Sequence, residues 1–278
     1  MADPSSVERS AFRQFERSGW ENVVNEYDTS FGHLTTQAVE PLLDSVGARH
    51  GVRLLDVATG PGYVAAAAGR RGAAVIGIDF SAPMVAEGRK KFPSVEFRVG
   101  DAEALSFSEE SFDAVVMNFG MLHLAHPEQA LAEAHRVLRP GGRVGFTVWA
   151  KPEEAVAFAI TLRAIETYGK MNVALPQGPP FFRFSEPDEC IRSLLNAGFS
   201  DPRVVKVAQI WRLPSAGALF EAMRGGTVRT AGLLREQTAE AGAAIRLAIT
   251  HAARAYEKAG IIELPMPAIL ASAPKSPV

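Results

Sequence analysis

"LLDVATGPGYVAAAAG", residues 54–69, decides how the chain folds. A short, almost wholly apolar run ends in a turn with two glycines and restarts as small, helix-favouring residues. That pattern is a strand buried on both faces that turns tightly into a helix. Gly60 and Gly62 let the backbone come close to a ligand, and the helix starting near Tyr63 offers N–H groups with no partner inside the helix. "GPGYVA" (60–65) also satisfies the G-x-G-x-x-A form of a dinucleotide fingerprint, so the loop alone leaves its nucleotide open.

Working outward, the strand-then-helix rhythm repeats. Upstream, "TTQAVEPLLDSVG" (35–47) has Val39, Leu42, Leu43 and Val46 at helical spacing, with Gly47 placed to end the helix. Downstream lie a buried strand, "AAVIGIDF" (73–80), and a helix, "SAPMVAEGRKKF" (81–92), with Ser81 as N-cap and Pro83 in its first turn. "VEFRVGDA" (95–102), "FDAVVMNFG" (112–120) and "RVGFTVWA" (143–150) read as further strands. "HPEQALAEAHRVLRPGG" (126–142) is an amphipathic helix closed by proline and glycine. This alternation predicts an α/β fold, a parallel sheet with helices on both faces and a ligand at the carboxyl ends of the strands.

Past Trp149 the rhythm changes. "EEAVAFAITLRAIETYG" (153–169) is helical, "VALPQGPPFF" (173–182) is a proline-rich connection, and 214–260 is mostly helical and alanine-rich. "SEPDECIRSLLNAGF" (185–199), "RVVKVAQIWRL" (203–213) and "PMPAILASAP" (265–274) return to helix, strand and strand, which brings the expected strands to seven.

The 278 residues are 47% hydrophobic and 22% charged, with a net charge of −2. The length suits one large domain or two small ones, and the charge leaves no footprint for nucleic acid or an anionic membrane. Cys190, the single cysteine, sits at helical spacing with Ile191, Leu194 and Leu195; it reads as a core residue and excludes an internal disulfide framework. The opening "MADPSSVERSAFRQFERSGW" (1–20) has no apolar core of a signal peptide, and no stretch approaches the ~20 apolar residues of a membrane span. A cytoplasmic setting is expected.

Acids at the strand ends narrow the nucleotide. Asp79 ends the second strand, where a carboxylate can accept from both ribose hydroxyls of NAD or of another adenosine cofactor. "GDAEAL" (100–105) ends the third: Asp101 suits the exocyclic amine of adenine and the Ala102 backbone its ring, while Asp101 also suits an ordinary turn. Asp56 would repel a pyrophosphate, yet it offers a counter-charge to the ammonium of a zwitterionic ligand.

Taken together, "LLDVATGPGYVA" (54–65), "VIGIDFSAPMV" (75–85), "FRVGDAEALSF" (97–107) and "FDAVVMNFGMLHLAHPEQALAEAHRVLRPGGRVGFTVW" (112–149) resemble the class I S-adenosylmethionine-dependent methyltransferases. The nearest branch is the small-molecule one that includes the ubiquinone and menaquinone biosynthesis C-methyltransferases. The resemblance covers residues 50 to 150; "DVATGPG" (56–62) replaces the family's usual "DVGCGTG" but keeps the leading acid and both glycines. It implies a Rossmann-like, mostly parallel seven-stranded sheet with helices on both faces and an N-terminal helical lid; the two helical stretches past Trp149 read as cap insertions within a single domain. The lid would be 1–39, the cofactor core 40–150, the caps 151–183 and 213–260, and the rest of the core 184–212 and 261–275.

The resemblance also implies S-adenosyl-L-methionine as cofactor, S-adenosyl-L-homocysteine as product, and a role for each matching residue. Asp56 and the backbone of Ala58, Thr59, Gly60 and Gly62 would hold the methionine part; Asp79 would take the ribose; Phe80 and Met84 would pack on adenine. Asp101 and Ala102 would read its edge, and Asn118 and Phe119 would lie against the methionyl group. Tyr27 and Trp20 match aromatic positions that fold over the cofactor and substrate, and they serve equally to staple a helix to the core.

Methyl transfer from a sulfonium asks mainly for alignment and exclusion of water; a base is needed only if the acceptor must lose a proton. His123, which borders the fourth strand, is the one candidate base, and ordering its loop is the competing role. The substrate is expected at Trp149, Phe181 and Phe182, with Arg224 and Arg229 as an anion grip or as ordinary surface arginines. The partner is therefore a small molecule, with no nucleic acid, membrane or metal; a homo-oligomer stays open. An NAD-linked oxidoreductase and a non-catalytic S-adenosylmethionine-binding protein are the alternatives.

Overall fold

The computed structural model describes residues 4–277, with side chains from Val7 onward. The described residues form ten strands: β1 (Arg53–Val57), β2 (Ala74–Asp79), β3 (Glu96–Val99), β4 (Phe112–Asn118), β5 (Leu138–Trp149), β6 (Arg203–Val207), β7 (Ile210–Leu213), β8 (Glu257–Lys258), β9 (Ile261–Pro265) and β10 (Ala268–Pro274). They belong to two compact units. One holds residues 4–34, 150–177 and 208–267, and the other holds 35–149, 178–207 and 268–277. Among the described residues no helix is long and apolar enough to cross a membrane.

The larger unit is built on the expected seven-stranded sheet, in the order β3-β2-β1-β4-β5-β10-β6. β1 to β5 are parallel, and β10 runs antiparallel to both neighbours. β1 is buried from Leu54 to Val57 because helices cover the sheet, and Leu54 packs with Leu42, Leu43, Val64, Ala68 and Val116 in one cluster. Ala65, Val85 and Phe97 form another. From β1 the chain steps outward through β2 to β3, then returns to the other side of β1 with β4. The switch between β1 and β4 opens a crevice at their carboxyl ends, the place where such sheets bind ligands.

"RVVKVAQIWRL" is two strands where the sequence predicts one. β6 joins the large sheet, while β7 pairs with β9 in a three-stranded antiparallel sheet, β7-β9-β8. Gln209 makes the break: its backbone carbonyl accepts from Met266 N–H, and its buried side chain donates Nε2 to the Leu34 carbonyl at 2.9 Å. Of these three strands only β8 falls within a segment expected as a cap, with Leu213 of β7 at the border of that segment. β7 and β9, expected as parts of the core, lie in the smaller unit with the helices Pro4–Asn22, Val24–Ser30, Val156–Tyr168, Ala216–Gly225, Arg229–Arg235 and Ala239–Ala253.

A buried carboxylate organises this smaller unit. Glu16 is wholly buried, and it accepts from Arg229 Nε at 2.9 Å and from Trp20 Nε1 at 3.1 Å. The Arg229 guanidinium lies 4.4 Å from the Phe12 ring centroid. Removing one member of a buried pair leaves the other charge uncompensated. Glu16→Ala should therefore cost about 3 kcal/mol in chemical denaturation. Glu16→Met combined with Arg229→Met should recover most of that loss, and a single variant as stable as the wild type would contradict the assignment.

Candidate functional site

β1 ends in Asp56 and Val57, and the chain then takes a course open to few residues. Ala58 has φ +53°, Gly60 φ +53° and Gly62 φ +89°. The two glycines serve different ends. A Cβ on Gly62 would fall 2.4 Å from the buried Phe97 ring, so its absence is needed for packing. A Cβ on Gly60 would meet nothing within 4 Å, so this glycine faces open space and leaves its backbone approachable. Gly62 caps the helix Tyr63–Arg70 without a side-chain bond.

Asp56 is fully buried beneath this loop. Its Oδ2 accepts from the Thr59 hydroxyl at 2.5 Å and from Ala65 N–H at 3.0 Å. Its Oδ1 is buried with no hydrogen-bond partner, an acceptor still open to a donor. Burial pushes the Asp56 carboxyl up to about 7, and the neighbouring Asp79 charge adds to the rise. Asp79, at the end of β2, accepts from Gly60 N–H and from Ser81 N–H, each at 2.9 Å, and burial raises it to about 6. Each of its oxygens retains a further lone pair. Met84 is buried in the helix Ala82–Lys91, which Ser81 caps, and Phe80 is half-buried beside it.

Past β3, Asp101 Oδ1 accepts from Glu103 N–H at 2.9 Å, so the acid does shape a turn, and Ala102 is buried. The loop is clamped by Glu133, Arg136 and Glu103, which look in the sequence like ordinary charged residues. Glu133 accepts from Leu105 N–H at 2.7 Å, while Arg136 donates to the Leu105 and Phe107 carbonyls at 2.9 and 2.8 Å. Glu103 accepts from His126 N–H at 2.9 Å. The one sequence signal is the spacing of Glu133 and Arg136 on a single helix, which also lets them pair at 2.7 Å.

β4 ends at Asn118, and Phe119 follows at φ +55°, so both strands at the switch are followed at once by a non-glycine residue in the left-handed region. Such strain clusters at ligand sites. The Phe119 ring lies 4.1 Å from that of Trp149 between centroids, and both are buried. His123 meets the Phe181 ring edge-on at 5.9 Å, and Phe181 meets Phe182 at 4.9 Å. The larger unit therefore brings together the expected cofactor residues from Asp56 to Phe119, and the expected substrate residues His123, Trp149, Phe181 and Phe182 as two aromatic groupings. Trp20, Tyr27, Arg224 and Arg229 belong to the smaller unit, where Trp20 and Tyr27 meet edge-on at 5.5 Å. Arg224 is exposed, and Arg229 is engaged by Glu16 rather than presented as an anion grip.

The methyltransferase domain family matches residues 55–146. A demethylmenaquinone methyltransferase of Renibacterium salmoninarum is 40% identical over 111 residues, which are 40% of this chain and 47% of the relative. The ubiquinone/menaquinone biosynthesis C-methyltransferase UbiE of Roseobacter denitrificans is 30% identical over 182 residues, 59% of this chain and 72% of that one. Among solved structures, the YcgJ protein of Bacillus subtilis has a TM-score of 0.55 at 20% identity, covering 87% of this chain and 99% of its own. The [4+2]-cyclase SpnF has a TM-score of 0.52 at 23% identity, covering 87% and 82%. These two structures speak to the fold alone. The chain spans about half the length of the first curated relatives it matches. It belongs to the S-adenosylmethionine-dependent methyltransferase family.

The contrast between the glycines can be measured. Gly60→Ala should cost about 1 kcal/mol, the left-handed penalty alone. Gly62→Ala should cost about 3 kcal/mol, because the clash with Phe97 adds to that penalty. Equal denaturation midpoints for the two variants would refute the division of roles.

Proposed function

We propose that the chain transfers a methyl group from S-adenosylmethionine to a small-molecule acceptor. The observation that carries this reading is the buried, unpartnered Asp56 Oδ1 beneath a loop whose Gly60 faces open space. The site chemistry fits that cofactor better than a dinucleotide: an acid inside the loop attracts an ammonium and repels a pyrophosphate. Asp56 would hold the ammonium, the Ala58–Gly62 backbone the carboxylate end, and Asp79 the ribose. Phe80 and Met84 would pack against the adenine, Asp101 and Ala102 would meet its edge, and Asn118 and Phe119 would border the methionyl group.

S-adenosylmethionine supplies, when bound, a methyl on a cationic sulfur that leaves without acid assistance. The chain's own task is to orient the acceptor and exclude water. Phe181 and Phe182, both partly exposed, would supply an apolar, aromatic surface for that purpose, and the buried Phe119–Trp149 pair would border it. His123, placed against Phe181, would take a proton from the acceptor where the reaction releases one. The names of the relatives make a reduced quinone the first acceptor to try. A cytoplasmic setting suits the lone thiol of Cys190, which is buried and pushed up to about 12 by that burial.

Titration calorimetry should detect binding of S-adenosylmethionine and S-adenosylhomocysteine but not of NAD; no binding of either would sink the reading. Incubation with a reduced naphthoquinone should release S-adenosylhomocysteine.

Proton linkage gives a further check. A carboxyl whose pKa is raised on folding stabilises the fold fully below its unfolded pKa, and that contribution is lost as pH rises through the folded value. The ligand-free protein should therefore lose stability as pH climbs from about 4 through the values near 6 and 7 set by Asp79 and Asp56. An ammonium beside Asp56 favours the carboxylate, so binding at pH 6 should release protons. Heats measured in buffers of different ionisation enthalpy should show that release, and Asp56→Asn should reduce it to the smaller share that Asp79 contributes.

A further inference from the structure

We propose that Thr147, on β5, is a positioning residue for the transfer site. Its hydroxyl fixes the turn at the carboxyl end of β4 and, through that turn, the start of the glycine loop. The inference rests on the methyltransferase reading for its consequence, and on geometry within the larger unit for its substance.

Thr147 is wholly buried and sits opposite Asn118 in the parallel register of β4 and β5. Its Oγ1 accepts from Phe119 N–H at 3.0 Å, which leaves the hydroxyl hydrogen to be donated to Asn118 Oδ1 at 2.6 Å. With Oδ1 taken by a donor, the Asn118 amide must present Nδ2 on its other side, and there it donates to the Thr35 carbonyl at 3.1 Å. One hydroxyl therefore decides which way the Asn118 side chain faces. It also gives Phe119 N–H a second acceptor beside the Thr147 carbonyl, at 3.1 Å.

That second acceptor matters because Phe119 is held at φ +55°, where a bulky residue does not stay without outside restraint. The turn then touches the glycine loop. A Cβ on Gly120 would lie 2.7 Å from the Ala58 Cβ, so Gly120 packs beside the Ala58 methyl with no room for a side chain of its own. A shift of Asn118–Gly120 towards β1 would press on the methyl of Ala58, the residue that opens the loop. On the other side, the Phe119 ring rests on Trp149, two residues beyond Thr147 on the same strand. A hydroxyl that touches neither cofactor nor acceptor thus sets the geometry of residues proposed to touch both.

Three forms of the full chain test this: wild type, Thr147→Val and Thr147→Ser. Valine keeps the shape and removes both hydroxyl bonds, while serine keeps the bonds and removes a methyl. By calorimetry, Thr147→Val should bind S-adenosylhomocysteine about tenfold more weakly, a change expected from losing one to two hydrogen bonds. Thr147→Ser should stay within about twofold of wild type. In the ligand-free protein, the part of the near-ultraviolet circular dichroism that Trp149→Phe removes should fade in Thr147→Val and persist in Thr147→Ser. Wild-type affinity in Thr147→Val, or an unchanged Trp149 signal, would overturn the proposal. Should the wild type bind neither ligand, the methyltransferase reading fails, and the spectroscopic arm still decides whether Thr147 holds the turn. Thr147→Ala, with the same expectations, replaces the valine variant if the latter does not fold.

Discussion

The structure depends first on the carboxyl of Asp56. It lies where β1 gives way to the glycine loop, and its one bonded oxygen joins the Thr59 hydroxyl to the first turn of the following helix. A fully buried carboxyl with only half its acceptors used is costly to the fold. Its presence at the carboxyl end of β1 therefore marks a demand other than stability. Asp79 repeats the arrangement one strand over, where its side chain draws Gly60 N–H and Ser81 N–H together. Two acids, raised for the same reason, brace one loop from below and from the side.

Much of the larger unit was legible because its signals are local. Buried strands read as apolar runs, helices carry their own caps, and a strand that ends in an acid before glycines or a small residue announces the crevice. The positions expected at the cofactor site, from Asp56 to Phe119, fall on strand ends and the loops just after them because the topology requires it. The roles of Glu133, Arg136 and Thr147 escaped notice for the opposite reason. Each acts on a segment distant in sequence, and an Arg on an amphipathic helix or a Thr in a strand looks like any other. Only the pairing of β4 with β5 places Thr147 against Asn118.

The smaller unit was the less legible half. Its organising carboxylate, Glu16, finds its guanidinium at Arg229, far along the chain, and neither residue stands out among the charged residues of a helix. Its sheet is made of short strands, and β7 sits so near β6 in sequence that an unbroken apolar rhythm hides the change of sheet. What separates them is the turn of Gln209 towards Leu34, a tertiary hydrogen bond that no period of two can reveal. Composition did mark the alanine-rich helices as foreign to the sheet's rhythm; their partnership with β7 to β9 was invisible.

The place of β10 bears on how the protein is made. The strand is the latest of the ten in sequence, yet it lies inside the sheet, with β5 on one side and β6 on the other. During synthesis β5 must wait with an open edge, and β6 has no neighbour at all, until residues beyond 267 emerge. Open edges are templates for pairing with other chains. Pairings between distant segments also form slowly. The crevice between β1 and β4 can thus take shape before the sheet is closed, while the nascent chain keeps an open edge on β5, the strand that carries Thr147 and Trp149.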